Sequence, residues 1–404
     1  MADAAVAWSP AFARRTQGSG GEITAILSLA GAKDIITFSG GFPAPETFPV
    51  EVIGELSARL LAEDAAVALQ YSPTEGLASV RDTLAQRLAG HEGRRPAEGE
   101  LMVTSGGIDA LQLVGKSLLD AGDVVVVEDP TYLGAIMAFR GFEADVVGIP
   151  MDAEGMDVGV LADRLADGLR PKLLYSIPEH QNPTGLTLST ERRQALVELC
   201  RRYGVLVLED VAYRELGFAD ERLPSLWSLG PDVVVQAGTF SKTFCPGVRL
   251  GWAAGPAAVI GHMVTAKQNT DQCAGALGQR LMEEYVRGGH LDRQLVASRA
   301  LYERRCELTM AALEAHMPAG VSWTRPRGGF FTWVTTPGAV DTVAMCQQAA
   351  EAKVAYVPGT PFHPGEAGLG SLRLAFSRVA EDDIDEGIGR IAGLLTAGRS
   401  APAS

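Results

Sequence analysis

The sequence lacks paired cysteines, a surplus of basic charge and any long apolar run. Its five cysteines are scattered over 404 residues and never form a CxxC pair, so neither a disulfide framework nor a structural zinc site is indicated. The net charge of −14 argues against nucleic acid or an anionic membrane surface as the main partner, because both bind clustered lysine and arginine. No stretch has the roughly 18 apolar residues of a membrane-spanning helix, and no signal-peptide core is present. These absences predict a cytoplasmic protein without a metal site that acts on small molecules.

What the sequence does contain is a regular alternation of strand-like and helix-like segments. From about residue 100 to 255, short apolar runs alternate with helical patterns and end in glycine, proline, asparagine or aspartate; they read LMVT, VVVVED, KLLYSI, VLVLED, VVVQAG and LGWAAG. Runs that are apolar on both faces are typical of a largely parallel sheet covered by helices. The sequence therefore predicts an α/β fold in which a mostly parallel sheet lies between layers of helices.

The pattern changes after about residue 285. A long charged helical stretch beginning HLDRQLV leads to short strand-like runs, VAYVPG and SLRLAFS, which predict a smaller α+β domain. We expect three parts: residues 1–45 as an N-terminal arm that joins the small domain, residues 46–285 as the large domain, and residues 286–404 as the small C-terminal domain. Two such lobes leave a cleft, and ligands favour clefts between domains and the carboxyl ends of sheet strands.

Several polar residues stand where the predicted strands end. They are Ser105, Gly106 and Gly107 after LMVT, Asn182 after KLLYSI, Asp210 and Tyr213 after VLVLED, and Thr239 and Lys242 after VVVQAG. Taken singly, each has an ordinary structural explanation. A lone lysine is usually solvated because burying an ammonium is costly, an aspartate after a strand often caps a turn, and Asn-Pro-Thr-Gly is a good turn sequence. Only their combination at one sheet edge indicates a site.

The residues also resemble a known family. SKTFCPGVRLG, QNPTG, DVAY, YSPTEGLASVR and RLAFS occur in this order and resemble motifs of the fold-type I pyridoxal-phosphate aminotransferases of class I/II. ITFSGGFPAPETFP is similar to the branch with aminoadipate-type and broad-range amino acid aminotransferases. The resemblance covers about residues 22 to 395. It implies an aspartate-aminotransferase-like fold with a seven-stranded-type sheet, pyridoxal 5'-phosphate as cofactor, and ping-pong transfer of an amino group between an L-amino acid and a 2-oxo acid.

The resemblance assigns the catalytic lysine and the residues around the cofactor ring. Lys242 would hold the cofactor aldehyde as an imine and later act as the general base, since a desolvated site favours the neutral amine. Asp210 would pair with the pyridine nitrogen, and Tyr213 and Asn182 would hydrogen-bond the phenolic oxygen. Tyr132, in EDPTYLGA, would stack on the ring face.

The cofactor phosphate and the substrate have their own expected partners. Ser105, the backbone N–H groups of Gly106 and Gly107, Thr239 and Arg249 would hold the phosphate. The resemblance further implies a homodimer in which Tyr71 reaches the phosphate in the partner's site. The substrate would be bound by Ser39, Gly40, Asn182 and Arg373, of which Arg373 would pair bidentately with the α-carboxylate.

Some positions depart from the family pattern. The phosphate loop reads Ser-Gly-Gly-Ile, which leaves more of the phosphate contact to backbone donors. His180 stands where close relatives have an aromatic residue; it either faces the substrate or is a loop histidine bonded to backbone. Thr24 takes the place of a basic residue that could reach a distal carboxylate, a role open to Arg14 or Arg15. Cys245 is interpreted as a small buried spacer.

Alternatives remain open at this stage. An enzyme of the same fold could use the same cofactor and residues for elimination, decarboxylation or oxygen-dependent chemistry on an amino acid. The chain could also be a non-catalytic ligand sensor of the kind fused to a winged-helix DNA-binding domain, although only about 20 residues precede the fold. A third alternative is an α/β binding protein in which Lys242 forms no imine.

Overall fold

A computed structural model describes residue 8 and residues 11–16, 34–219, 222–337 and 340–400, with the side chains of residues 14 and 398–400 left aside. The α-helices among these residues are α1 Val50–Glu63, α2 Ala65–Ala68, α3 Ala78–Glu92, α4 Gly107–Leu118, α5 Leu133–Arg140, α6 Val158–Ala166, α7 Thr190–Tyr203, α8 Leu226–Leu229, α9 Ala257–Gln268, α10 Ala276–Arg287, α11 His290–His316, α12 Met345–Glu351 and α13 Ile384–Ser400.

The strands fall into three sheets among the described residues. In chain order they are β1 Ile36–Thr37, β2 Leu101–Thr104, β3 Val124–Asp129, β4 Asp145–Asp152, β5 Gly155–Met156, β6 Pro171–Ser176, β7 Leu206–Asp210, β8 Val234–Thr239, β9 Gly251–Ala254, β10 Ser322–Trp323, β11 Phe331–Thr335, β12 Val354–Ala355, β13 Val357–Pro358 and β14 Ser371–Ala375. An eight-stranded sheet has the order β2-β9-β8-β7-β6-β3-β4-β5, and a four-stranded sheet has the order β10-β11-β14-β13.

The eight-stranded sheet confirms the predicted α/β fold. Its central strands β4, β3, β6, β7 and β8 are parallel, while β9 runs antiparallel between β8 and β2. Side chains alternate between two separate hydrophobic cores, so that Leu173 packs on one face and Leu174 on the other. Burial on both faces explains the uninterrupted apolar runs in the sequence. The sheet has one strand more than the resemblance implied, because the short β5 extends one edge.

The direction of the strands brings the candidate residues together. Because β2, β6, β7 and β8 all run the same way, their carboxyl ends meet at one edge of the sheet. Asp210 ends β7 and Thr239 ends β8. This edge is the side of the large sheet where the site is built.

The second part of the structure is built around the four-stranded sheet. The 27-residue helix α11 leads into it, and a third hydrophobic core joins α11, α13 and this sheet. The N-terminal segment belongs to the same part, since β1 pairs with β12 and Phe38 lies in that core. We call the parts that carry the eight-stranded and the four-stranded sheets the large lobe and the small lobe. The domain boundaries at residues 45 and 285 stay a prediction.

Within the described ranges, no helix combines the length and the apolar character that crossing a membrane requires.

The close packing of Gly238 against Trp252 in the large sheet generates a stability prediction. A Cβ on Gly238 would lie 2.1 Å from an atom of the Trp252 ring, so G238A is expected to lower the free energy of unfolding by about 1–3 kcal/mol through overpacking. Denaturant unfolding of the holo protein would measure this. Gly54 in α1 is the matched control, because nothing lies within 4 Å of its added Cβ and alanine favours helix. A G238A variant as stable as G54A would contradict the packing.

Candidate active site

Lys242 lies just beyond the end of β8, in the cleft between the lobes. Its Nζ donates a hydrogen bond of 2.8 Å to the backbone oxygen of Gly41. Burial, followed by the positive charge of Arg373, lowers the pKa of Lys242 to about 8 from its ordinary value of 10.5, while the charge of Asp210 works in the opposite direction. Lys242 is therefore an amine with a substantial neutral fraction near neutral pH, in contrast to a surface lysine.

Asp210 is a buried carboxylate at the end of β7. It accepts a hydrogen bond of 2.9 Å from the hydroxyl of Tyr175 and one of 3.1 Å from the backbone N–H of Ala212. Burial raises the pKa of Asp210, and these hydrogen bonds together with the charge of Lys242 partly oppose the rise. The carboxylate is thus oriented by its neighbours and directed at the same cleft as Lys242.

Arg373, in β14 of the small lobe, binds groups from two other parts of the chain. Its Nη1 donates to Oδ1 of Asn182 at 2.9 Å, and its Nη2 donates to the backbone oxygen of Ser39 at 2.6 Å. The guanidinium carbon lies 4.4 Å from the ring centre of Phe331 and 4.9 Å from that of Phe362. Burial lowers the pKa of Arg373 to about 10, which leaves the group charged at neutral pH.

This cation retains an unused donor. Nε of Arg373 is buried without a hydrogen-bond partner among the described residues. Ser39, which is fully buried, and Gly40 belong to the segment that runs across both Arg373 and Lys242, since the Gly41 oxygen accepts from Lys242. The predicted substrate residues therefore come together from both lobes and from the N-terminal segment.

A second cationic corner lies at the start of α4. Arg249 Nη2 donates to the backbone oxygen of Ser105 at 3.3 Å, and its Nη1 donates to the hydroxyl of Ser241 at 3.2 Å. Ser241 also accepts from the hydroxyl of Thr239 at 3.0 Å. Gly106 has a φ of +101°, and a Cβ there would lie 2.7 Å from Nη2 of Arg249. Only glycine suits both the conformation and the close approach.

A buried lysine supports this corner from behind. Lys267 is fully buried and donates to the hydroxyl of Ser105 at 3.1 Å and to the carboxylates of Asp109 and Asp271 at 2.8 Å each. The Ser105 hydroxyl in turn donates to Asp271 at 2.5 Å, and the backbone N–H of Ser105 donates to Asp109 at 2.8 Å. The Ser105 side chain is thus held by its neighbours, and the first N–H groups of α4 remain as donors toward the cleft.

Two tyrosines lie close to Asp210 and Arg373. Burial raises the pKa of Tyr132, and the charges that act on it come from Asp210, Arg373 and Arg249. Its ring occupies space left open by Gly134, where a Cβ would lie 2.5 Å from the ring. Tyr213 is buried, with a raised pKa for the same reason, and contacts Phe330 and Phe331 edge to face at 5.3 and 5.6 Å.

The remaining candidates lie elsewhere. Tyr71 is 76% exposed and contributes nothing to the cleft of its own chain. His180 is buried, with its ring against Gly217 and Gly328, rather than beside Lys242.

Cys245 is partly buried, which raises the pKa of its thiol and agrees with a spacer. Arg15 is exposed, whereas Thr24 and the side chain of Arg14 lie outside the described residues.

Sequence reasoning missed five supporting residues. Tyr175 holds Asp210 from a neighbouring strand, and Lys267 holds the phosphate loop from α9. Gln181 donates to buried Glu128 at 2.9 Å and accepts from the Thr184 N–H, which fixes the loop of Asn182. Ser241 stands within the SKTF motif, so its position was a usable signal, whereas nothing in the local sequence marked Tyr175, Lys267 or Glu128.

The site fits a phosphate-bearing aromatic aldehyde. Lys242 offers an amine of lowered pKa, Asp210 a buried carboxylate for a ring nitrogen, and Arg249 a cation beside the N-terminus of α4. A Cβ at Gly106 would obstruct the space beside Arg249, so glycine at this position would leave room for a phosphate. These groups match what pyridoxal phosphate requires of a protein.

Comparisons with known proteins agree with this geometry. Residues 33–391 match the family model described as aminotransferase class I and II. The chain is 40% identical to an aromatic-amino-acid aminotransferase of Thermococcus litoralis over 92% of this chain and 90% of that protein. The structure of Pyrococcus horikoshii kynurenine aminotransferase with PMP is similar, with a TM-score of 0.94, 38% identity, and 97% and 98% of the two chains covered.

A third similar protein carries a derivative of the cofactor. α-Aminoadipate aminotransferase from Thermus thermophilus, solved with N-(5'-phosphopyridoxyl)-L-leucine, matches with a TM-score of 0.90 and 37% identity over 98% of this chain and all of that one, 100%. The chain therefore belongs to the aminotransferase class I and II family and is an amino acid aminotransferase that depends on pyridoxal phosphate.

Proposed function

We propose that this aminotransferase moves the amino group of an aromatic L-amino acid to a 2-oxo acid in two half-reactions, with Lys242 as its catalytic residue. The observation that carries the proposal is the setting of Lys242, whose lowered pKa arises in one cleft with Asp210 and Arg373. Aromatic donors are supported by the names of two similar proteins, an aromatic-amino-acid and a kynurenine aminotransferase. 2-Aminoadipate is a weaker choice, because Thr24 replaces the basic residue that the family resemblance leads us to expect.

Each residue around the cofactor has a separate proposed role. Pyridoxal phosphate supplies an aldehyde that condenses with amines and a ring that accepts electrons from the substrate Cα. Lys242 would hold the aldehyde, and its neutral amine would take and return the proton of the substrate Cα. Asp210, oriented by Tyr175, would keep the ring nitrogen protonated. Asn182 accepts from Arg373 through Oδ1, which leaves its NH₂ group to donate to the phenolic oxygen.

Arg373 would orient the substrate through its carboxylate. Its planar guanidinium lies against the rings of Phe331 and Phe362 and retains a buried Nε donor that would be available to a carboxylate. Ser39 and Gly40 would line the same position. Arg249, Thr239 and the N–H groups at the start of α4 would bind the phosphate, and Tyr132 and Tyr213 would contact the ring and its phenolic oxygen.

A homodimer and a cytoplasmic location are part of the proposal. The exposed ring of Tyr71, together with the family motif YSPTEG in which it stands, supports a tyrosine that reaches the phosphate in a second subunit. All five cysteines are free thiols, which suits a reducing compartment.

The reaction itself is the first test of the proposal. With phenylalanine or tyrosine and 2-oxoglutarate, the enzyme is expected to form glutamate and to give parallel double-reciprocal lines. Ammonia release or oxygen consumption without glutamate would contradict transfer. K242A is expected to lose at least about 10²-fold in kcat, whereas K172A, which removes a surface ion pair with Asp123, is expected to keep wild-type rates. Borohydride reduction followed by peptide mapping is expected to place the cofactor on Lys242.

Replacing Arg373 tests the binding of the carboxylate. R373K keeps the charge but loses the bidentate fork, so kcat/KM for the amino donor is expected to fall about 10–100-fold, since hydrogen bonds between charged groups contribute about 1.5–3 kcal/mol. The affinity for pyridoxal phosphate is expected to change little. R304K, on the surface next to Glu381, is the control. An unchanged kcat/KM in R373K would contradict the role of Arg373.

The lowered pKa of Lys242 predicts a pH dependence for cofactor capture. At a pH below the Lys242 pKa of about 8, the amine is mostly protonated and cannot attack the aldehyde. The rate at which the apoenzyme captures pyridoxal phosphate should therefore rise with pH through about 8 and then level off. Removing the negative charge in D210N should shift this inflection to lower pH, because Asp210 raises the pKa of Lys242. Stopped-flow absorbance would follow the reaction. An inflection near the ordinary lysine value of about 10.4 would contradict the buried setting.

A further inference from the structure

A large cavity lies between the two lobes, apart from the cleft of Lys242. It has a volume of about 940 Å³ and is lined by residues of both lobes, among them His180 and Leu186 from the large lobe and Trp323 and Trp333 from the small lobe. None of the residues to which we assign the cofactor or the substrate lines it. Its volume is at the upper end of the range for sites that bind small molecules.

The charges on the cavity wall favour an anion. Its acidic residues are all engaged: Asp152 and Glu154 with Arg192, Glu179 with Arg193 and Arg214, and Glu215 with Arg87. By contrast, Arg222 of the large lobe and Arg327 of the small lobe line the cavity without an ion-pair partner among the described residues. Guanidinium groups from two sides that have no ion-pair partner in the described part of the chain suit a carboxylate or a sulfonate.

His180 forms a buried part of this wall. The side chain is only 7% exposed, its Nδ1 has no hydrogen-bond partner in the described structure, and its backbone φ of +51° is left-handed. Burial, with the nearby charges of Arg193, Arg214 and Arg299, lowers the pKa of His180 to about 4, so the ring is neutral. The positive charge of this wall therefore comes from its arginines, and the neutral ring of His180 adds none.

The same histidine lies where the lobes touch. Gly217 and Gly328 form an isolated β-bridge between the lobes, with the Phe218 N–H donating to the Arg327 oxygen at 2.9 Å. A Cβ on Gly328 would lie 2.4 Å from the His180 ring, so the ring fills the space beneath this bridge. His180 is two residues from Asn182, which accepts from Arg373. An occupant of the cavity would therefore contact the loop that carries Asn182.

We propose that this interlobe cavity is a binding site for an organic anion with a flat apolar body, held by Arg222 from one lobe and Arg327 from the other. The indole rings of Trp323 and Trp333 and the side chain of Leu186 supply the apolar surface, and the two arginines supply the charge. Because the occupant touches both lobes, its binding stabilises one relative position of the lobes. The occupant is not a substrate of the transamination, because Lys242 does not line the cavity.

The test uses 1-naphthoate, an aromatic carboxylate without an amino or 2-oxo group, and the holoenzyme with pyridoxal phosphate bound. Isothermal titration calorimetry is expected to show saturable binding of one ligand to each chain. R222Q and R327Q are each expected to weaken binding about tenfold, because each removes a charge-assisted hydrogen bond. R304Q, a surface variant away from the cavity, and uncharged 1-naphthamide are the controls: R304Q should bind as the wild type does, and the amide about tenfold more weakly.

Three results would overturn the inference. The first is a dissociation constant that is the same in R222Q, R327Q and wild type, and the second is the lack of saturable binding at millimolar ligand. The third is binding that is weakened by R373K and accompanied by a change in the cofactor absorbance, which would place the ligand in the active site. Transaminase rates of R222Q and R327Q without naphthoate are expected to equal those of the wild type. The binding result is therefore independent of the proposed catalytic roles.

Discussion

The hydrogen bonds of Arg373 join the three parts of the chain on which the site depends. Its guanidinium comes from the small lobe, Asn182 from a loop of the large lobe, and the Ser39 oxygen from the N-terminal segment. A buried cation is costly unless it is hydrogen-bonded, so the lobes and the segment are held in the arrangement that gives both Nη groups of Arg373 an acceptor. The group that would receive the substrate thus also assembles the walls around it.

Burial is the largest cause of the pKa shifts of Lys242, Arg373 and Asp210, and it shifts the pKa of basic and acidic groups in opposite directions. It lowers the pKa of Lys242 and of Arg373 and raises the pKa of Asp210. Burial brings the pKa of Lys242 to about 8, whereas Arg373, whose pKa is lowered only to about 10, stays charged at neutral pH. Asp210 is supported by the Tyr175 hydroxyl, which limits the rise in its pKa and keeps the carboxylate available for a ring nitrogen.

The fold and the site could be predicted from the sequence to different degrees. The six apolar runs correspond to strands because burial on both faces leaves an unbroken pattern, and the charged helix at His290–His316 was equally clear. Strand β4 was missed because its residues are mostly half-buried or exposed and include Gly148 and Pro150. The predicted domain boundaries and individual residue roles stay predictions.

The residues that support the site could not be predicted from local patterns. Tyr175 is 35 positions from Asp210, and Lys267 is 158 positions from Asp109, so their roles arise only when the chain is folded. His180 attracted notice in the sequence as a departure from the family pattern, but its setting beneath the Gly217–Gly328 bridge depends on contacts between the lobes. Motifs identify groups that are close in sequence, whereas the groups that orient them come from distant strands and helices.

The position of β9 between β8 and β2 fixes the length of the loop that carries Lys242 and Arg249. Gly251 is the register partner of both Thr239 and Thr104, and a Cβ on it would lie 2.4 Å from the Gly238 oxygen. Residues 240–250 are therefore fixed at both ends, and an inserted or deleted residue would displace either Lys242 or Arg249. A change of chain length in this loop would therefore alter the distance between the Lys242 amine and the Arg249 guanidinium, whereas a substitution that keeps the length would not.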